Sequence, residues 1–272
     1  MDKFYYFLLV FDYFAVVYFF LVNGTYLFLN IKAFFSIRKY WSARETVEFE
    51  NVFQSEFYKP VSIIIPAYNE ELTIVDNISS ILSLQYPEYE LVVVNDGSKD
   101  GTIEELKDKF NLVISTRSYR KDLETEQVKE VYDSTDYPNL VVVDKENGGK
   151  ADALNAGINI AQFPLVCNVD ADSLIDDHAL LKIVEPFSKD WRVVAAGGTI
   201  RVANDCEIRG GQVTKVRLAK KPLVRMQVLE YLRAFLFGRV GWAALDSLLI
   251  ISGAFGVFKR KHLINAGGYS TD

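Results

Sequence analysis

The chain has 272 residues, with 36 acidic against 30 basic side chains and a formal net charge of −6. That balance argues against a nucleic-acid binder held by phosphate contacts, and the length allows one good-sized core. Cys167 and Cys206 lack metal-type spacing and only His178 and His262 could join them, which argues against a structural zinc site and fits a reducing compartment.

From Phe4 to Ile31 the chain is almost continuous Phe, Tyr, Leu and Val, with Asp12 its only charge. These 28 residues exceed the roughly 20 needed to cross a bilayer. A cleaved leader would want a basic start, a shorter apolar run and a small-residue cleavage site, none of which is clear here. The segment is therefore expected to be a retained transmembrane helix. Lys32, Arg38, Lys39 and Arg44 follow it against Lys3 before it, so the next domain is expected on the cytoplasmic side of the cell (inner) membrane.

Residues 1–44 are thus the membrane helix and its basic flank, 45–59 a polar-aromatic connector, and 60–272 a soluble-type domain. In that domain Val61–Ile65 reads as a buried strand and about Glu71–Leu84 as a helix. Leu91–Val94, Leu140–Val143 and Leu165–Val169 are further strands, with helices at Thr102–Phe110 and Ala151–Ala161. Continuous β-branched runs alternating with amphipathic helices predict an α/β fold with a mainly parallel central sheet. The charged stretch from Ser115 to Asn139 has no clear period and reads as a solvated insertion. Val224–Val257 is apolar again but broken by Arg225, Glu230, Arg233, Arg239 and Asp246, so a helix packed on the core or lying at a membrane surface is expected rather than a second span.

Ligands of such sheets gather at the carboxyl ends of the strands. Those ends deliver Pro66-Ala67-Tyr68-Asn69-Glu70, then Asn95-Asp96-Gly97-Ser98, then Asn147-Gly148-Gly149-Lys150, then Asp170-Ala171-Asp172. Each alone is ordinary cap or turn chemistry. Together, in this order, they ask for another explanation: paired carboxylates one residue apart can present oxygen to a divalent cation.

The segments IIIPAYNE (63–70), VVVNDGSKDGT (92–102), ENGGKADALN (146–155), NVDADS (168–173) and SGAF (252–255) resemble those of family-2 inverting glycosyltransferases with a GT-A nucleotide-sugar-binding fold. The resemblance is strongest to membrane-bound processive synthases of poly-N-acetylglucosamine, hyaluronan and cellulose. It implies that Ala67, Tyr68 and Glu70 line a nucleotide pocket and that Asp96 accepts a hydrogen bond from uracil. It places Lys150 near the phosphates, Asp152 beside the uridine, Asp170 toward ribose and metal, and Asp172 on Mg2+ or Mn2+. Ser252, Gly253, Ala254 and Phe255 would serve the acceptor side. Asp152 has an equal alternative as a first-turn acid favoured by the helix dipole.

The implied partners are a UDP-sugar donor, expected to be UDP-N-acetylglucosamine, a glycan acceptor, the lipid bilayer and partner subunits of a synthase complex. The general base of related synthases lies in a Glu-Asp element after the segment matching Gly267-Gly268-Tyr269. It is expected beyond Asp272, which makes the chain an incomplete enzyme by this reading. A non-processive transferase with a lipid or protein acceptor, and an inactive nucleotide-sugar-binding membrane protein, stay open as alternatives.

Overall fold

The computed structural model describes residues 3–44, 59–209, 212–248 and 250–271. Residues 45–58 of the expected 45–59 connector, and Asp272, lie outside the described residues. The chain divides into two units: Met1–Val52 with Lys220–Ile250, and Phe53–Ala219 with Ile251–Asp272.

The first unit is helical. Helix α1 runs Lys3–Arg44, 42 residues, or about 60 Å at 1.5 Å per residue. It is long and apolar enough to cross a membrane. Its large side chains are exposed along most of its length, as expected of a helix whose solvent is lipid. Within the same unit, α6 (Pro222–Tyr231), a π-helical stretch (Leu232–Gly238) and α7 (Arg239–Ala243) follow one another. Leu29 and Ala33 of α1 are buried, and a Cβ on Gly241 would lie 2.8 Å from Leu29 O. Glycine is therefore what lets this helix approach the α1 backbone. Within this unit the helix at Arg239–Ala243 thus supplies a partner for α1, while α6 buries no residue.

The second unit is an α/β body on an eight-stranded sheet in the order β3-β4-β5-β2-β1-β6-β10-β7. Its centre is parallel: β1 (Val61–Ala67), β2 (Tyr89–Asp96), β5 (Leu140–Lys145) and β6 (Leu165–Val169). Antiparallel strands complete both sides: β3 (Leu112–Ile114) and β4 (Val128–Ser134) on one, β7 (Ala195–Gly197) and β10 (Phe255–Lys259) on the other. A separate hairpin joins β8 (Glu207–Arg209) to β9 (Gln212–Lys215).

The core follows the two-residue period of the strands. Ile63, Ile65, Leu91, Val93 and Val142 face one side, where α2 (Ile74–Leu82), α3 (Thr102–Lys109) and α5 (Ala179–Lys189) add Ile78, Leu106 and Phe187. Ile64, Val92, Val94, Val141 and Val143 face the other, covered by α4 (Lys150–Ile160). The body closes with α8 (Arg260–Asn265).

The stretch after β3 differs from the sequence expectation. Residues 128–134 are a strand, and 115–127 form a strap tied along α4. Arg117 pairs with Glu90 at 2.9 Å, the Asp122 and Leu123 N–H groups donate to Asn159 Oδ1 at 3.1 and 2.9 Å, and Glu126 N donates to Asp152 Oδ2 at 2.9 Å. Charged side chains gave this stretch the look of a solvated loop, yet its backbone is satisfied by buried polar groups beneath it.

Candidate nucleotide-sugar site

The strand ends are brought level by register. Ala67 stands opposite Asn95 and Asp96 opposite Lys145, while Ile64 pairs with Asn168. The turns after β1, β2, β5 and β6 therefore share one rim. Strand β10 runs the other way on β6, with Phe255 opposite Val169, so Ser252–Phe255 arrives at the same rim beside Asp170.

The first two turns are knitted together. Ser98 Oγ accepts from Asn69 N at 2.9 Å and Asn69 Oδ1 accepts from Lys99 N at 2.8 Å. Thr102 Oγ1 accepts from Glu70 N, Asp100 Oδ2 from Glu71 N, and Glu71 Oε2 from Gly101 N, at 2.9 to 3.2 Å. Slight burial pushes the Asp100 carboxyl up, but hydrogen bonds from the Thr102 hydroxyl and from the Thr102 and Glu71 N–H groups outweigh it and hold the group below its ordinary range. Tyr68, Asn69 and Glu71 are exposed and Glu70 half-exposed, whereas Ala67 is buried in the core. Gly97 has φ +64°, and a Cβ there would lie 2.7 Å from Asn147 N, so the second and third turns meet through a glycine.

Asp96 is 3% exposed. Its carboxylate accepts from Gly148 N at 3.0 Å, Gly149 N at 2.8 Å and the Asn147 amide, and pairs with Lys145 Nζ at 2.7 Å. Its acceptor capacity is spent within the protein. Lys145, fully buried, also pairs with Asp152 at 2.5 Å. A carboxylate–ammonium–carboxylate stack thus fixes the Asn147-Gly148-Gly149 loop that presents Lys150. Sequence reasoning missed Lys145, because a lysine closing a strand reads as exposed.

Lys150 reaches across the rim to Asp170, Nζ to Oδ1 at 2.5 Å. In the next turn Ala171 is buried, Asp170 half-exposed and Asp172 exposed. Asn77 of α2 donates to Ala171 O, and Ser173 N donates to Asp170 O at 3.0 Å, so the turn is held from behind. No cluster of three His, Cys, Asp or Glu exists among the described residues. Two carboxylates alone suit a hard cation that takes its remaining oxygens from water and a substrate phosphate, and do not suit a caged structural metal. Cys167 lies inside β6, and burial pushes its thiol well above the ordinary range.

Asn155 and Asn159 on α4 are also parts the sequence did not disclose. Asn155 grips the Tyr269 backbone from both sides, accepting from its N–H at 2.8 Å and donating to its O at 2.9 Å. Asn168 donates to the Tyr269 hydroxyl.

A model of glycosyl transferase family 2 matches residues 62–238, a span that includes the rim turns up to Asp172 and excludes α1 and Ser252–Phe255. A poly-β-1,6-N-acetyl-D-glucosamine synthase of Staphylococcus epidermidis is 32% identical over 213 residues, 78% of this chain and 42% of the relative. The synthase of the same description from Staphylococcus aureus is 29% identical over 215 residues, again 78% of this chain and 42% of the relative. The chain spans about half the length of the curated relatives it matches or less. Among solved structures, a mannosyltransferase from Pyrobaculum calidifontis in complex with GDP-Man and Mn2+ aligns with TM-score 0.51 at 22% identity, over 90% of this chain and 60% of that one. That likeness concerns the fold.

Proposed function

The chain belongs to glycosyl transferase family 2, and from that premise we propose that its α/β body binds a UDP-sugar, UDP-N-acetylglucosamine, together with Mg2+ or Mn2+ for transfer into a β-linked polysaccharide. The observation that carries the reading is the common rim where Tyr68, Lys150, Asp170, Asp172 and Ser252–Phe255 converge. Asp170 and Asp172 would hold the cation, which supplies charge neutralisation on the departing diphosphate. Lys150 adds a positive charge beside them, Tyr68 and Glu70 border the base and ribose, and Ser252–Phe255 border the incoming acceptor. Asp96 and Asp152 serve the donor through the loop they fix with Lys145.

Helix α1 anchors this body to the inner membrane with residues 60–272 as the catalytic domain on the cytoplasmic side. The apolar length of α1 and the cations that follow it support that placement. The named relatives support the choice of N-acetylglucosamine.

Calorimetry of the full chain with UDP tests the site. Affinity is expected to fall at least about tenfold in chelator and in Asp172→Ala, since the two carboxylates are the protein's share of the cation's ligands. Unchanged UDP affinity under both conditions would overturn the reading.

A further inference from the structure

Between Phe4 and Ile31 the helix α1 contains Asp or Asn at three positions: Asp12, Asn23 and Asn30. All three fall on one seam. Asp12, Phe19 and Tyr26 repeat every seven residues, and so do Val16, Asn23 and Asn30; the steps between successive members alternate four and three. That is the a/d pattern by which two helices wrap left-handedly around each other, in membranes as in water. Every one of the six is exposed, and the contact with Gly241 lies near their C-terminal end, at Leu29.

We propose that this seam binds a second copy of the same helix in parallel, giving a dimer through α1. The chemistry of the seam selects that occupant. An amide side chain both donates and accepts, so Asn23 against Asn23 and Asn30 against Asn30 satisfy each other only when identical helices align in register. Asn23 spends one amide hydrogen on Phe19 O at 2.7 Å and keeps further donor and acceptor capacity. Asp12 against lipid is an unsatisfied polar group, and a second copy brings polar atoms to the same depth. A partner helix chosen for opposite charge would answer Asp12 alone and leave both amides unmatched.

The proposal rests on α1 being a membrane span, and the experiment separates the two. The full chain carrying Cys206→Ser, with Cys167 left buried in β6, receives one cysteine on the seam (Val16→Cys, Phe19→Cys or Tyr26→Cys) or on the opposite face (Leu21→Cys or Phe28→Cys). Membranes are oxidised and then washed in alkali. Retention in the membrane, with dimers from the seam positions and none from the opposite face, is the expected result. Asn23→Leu and Asn30→Leu each lower the association about three- to fifteenfold. Equal cross-linking from both faces, a retained chain without dimers, or a product of another mass would overturn the pairing. Release by alkali would overturn the membrane reading, and the pairing with it.

Discussion

Lys145 shows how far the meaning of a side chain depends on what lies above it. It is fully buried between Asp96 and Asp152, and its two partners in turn hold the Gly148 and Gly149 N–H groups and the strap at Glu126. Lys145→Met keeps the stem but leaves two buried carboxylates without their cation, a change that typically costs about 3–5 kcal/mol. Thermal unfolding of the variant is expected to show that loss, and an unchanged midpoint would contradict the stack. Asp100 predicts a pH effect with a definite sign. Its folded pKa is the depressed one, so its contribution is fully present above the unfolded value of about 3.9 and is lost as pH falls through the folded value. Amide exchange at Glu71 and Thr102 should accelerate in that acid window, and Asp100→Asn should remove the dependence. The acids of the rim stood out in the sequence because Glu70 and Asp96 sit at strand ends beside asparagine or glycine, and Asp170 and Asp172 stand one residue apart just beyond β6. Lys145, Asn155 and Asn159 were not, because their partners lie far along the chain and only the fold brings them together.

At the scale of elements, the four central strands and their helices were readable from continuous β-branched runs, and their observed bounds differ from the expected ones by three residues or fewer. The edges were not. Strand β3 is only three residues long, β4 carries Lys129, Glu130 and Asp133 along an antiparallel border, and β10 is a five-residue strand that pairs in reverse with β6 after a long excursion. The strap illustrates the same limit. Asn159 is 4% exposed and makes three hydrogen bonds to Asp122 and Leu123. Asn159→Leu preserves volume and strips all three, leaving two N–H groups and a carbonyl to desolvate. At about 1–3 kcal/mol for each unsatisfied group, partly relieved by water as the strap lifts, a net loss of about 2–4 kcal/mol is expected. Limited trypsin digestion should then cut at Arg117, Arg120 or Lys121 before any other site in the body. Cleavage no faster than in the parent chain would show that the strap is held by other means.

For the whole molecule, the order of units along the chain matters more than their number. The α/β body is interrupted at Lys220, the chain enters the helical unit, and it returns at Ile251 to lay β10 on β6. If α1 crosses the inner membrane as proposed, trypsin should digest the body in inside-out vesicles and spare it in right-side-out ones; the reverse would invert the assigned orientation. The returning segment ends in the Asn155–Tyr269 clasp, and this has a mechanical consequence. Helix α4 carries Lys150 at its first turn and holds Tyr269 one turn later. In the reading proposed above, the cation placed beside the donor and the segment that returns from β10 are thus held by one short helix. Asn155→Leu, which strips both bonds to Tyr269, is therefore expected to loosen the Tyr269 backbone, read as faster amide exchange there, while leaving the Asp96–Lys145 pair in place.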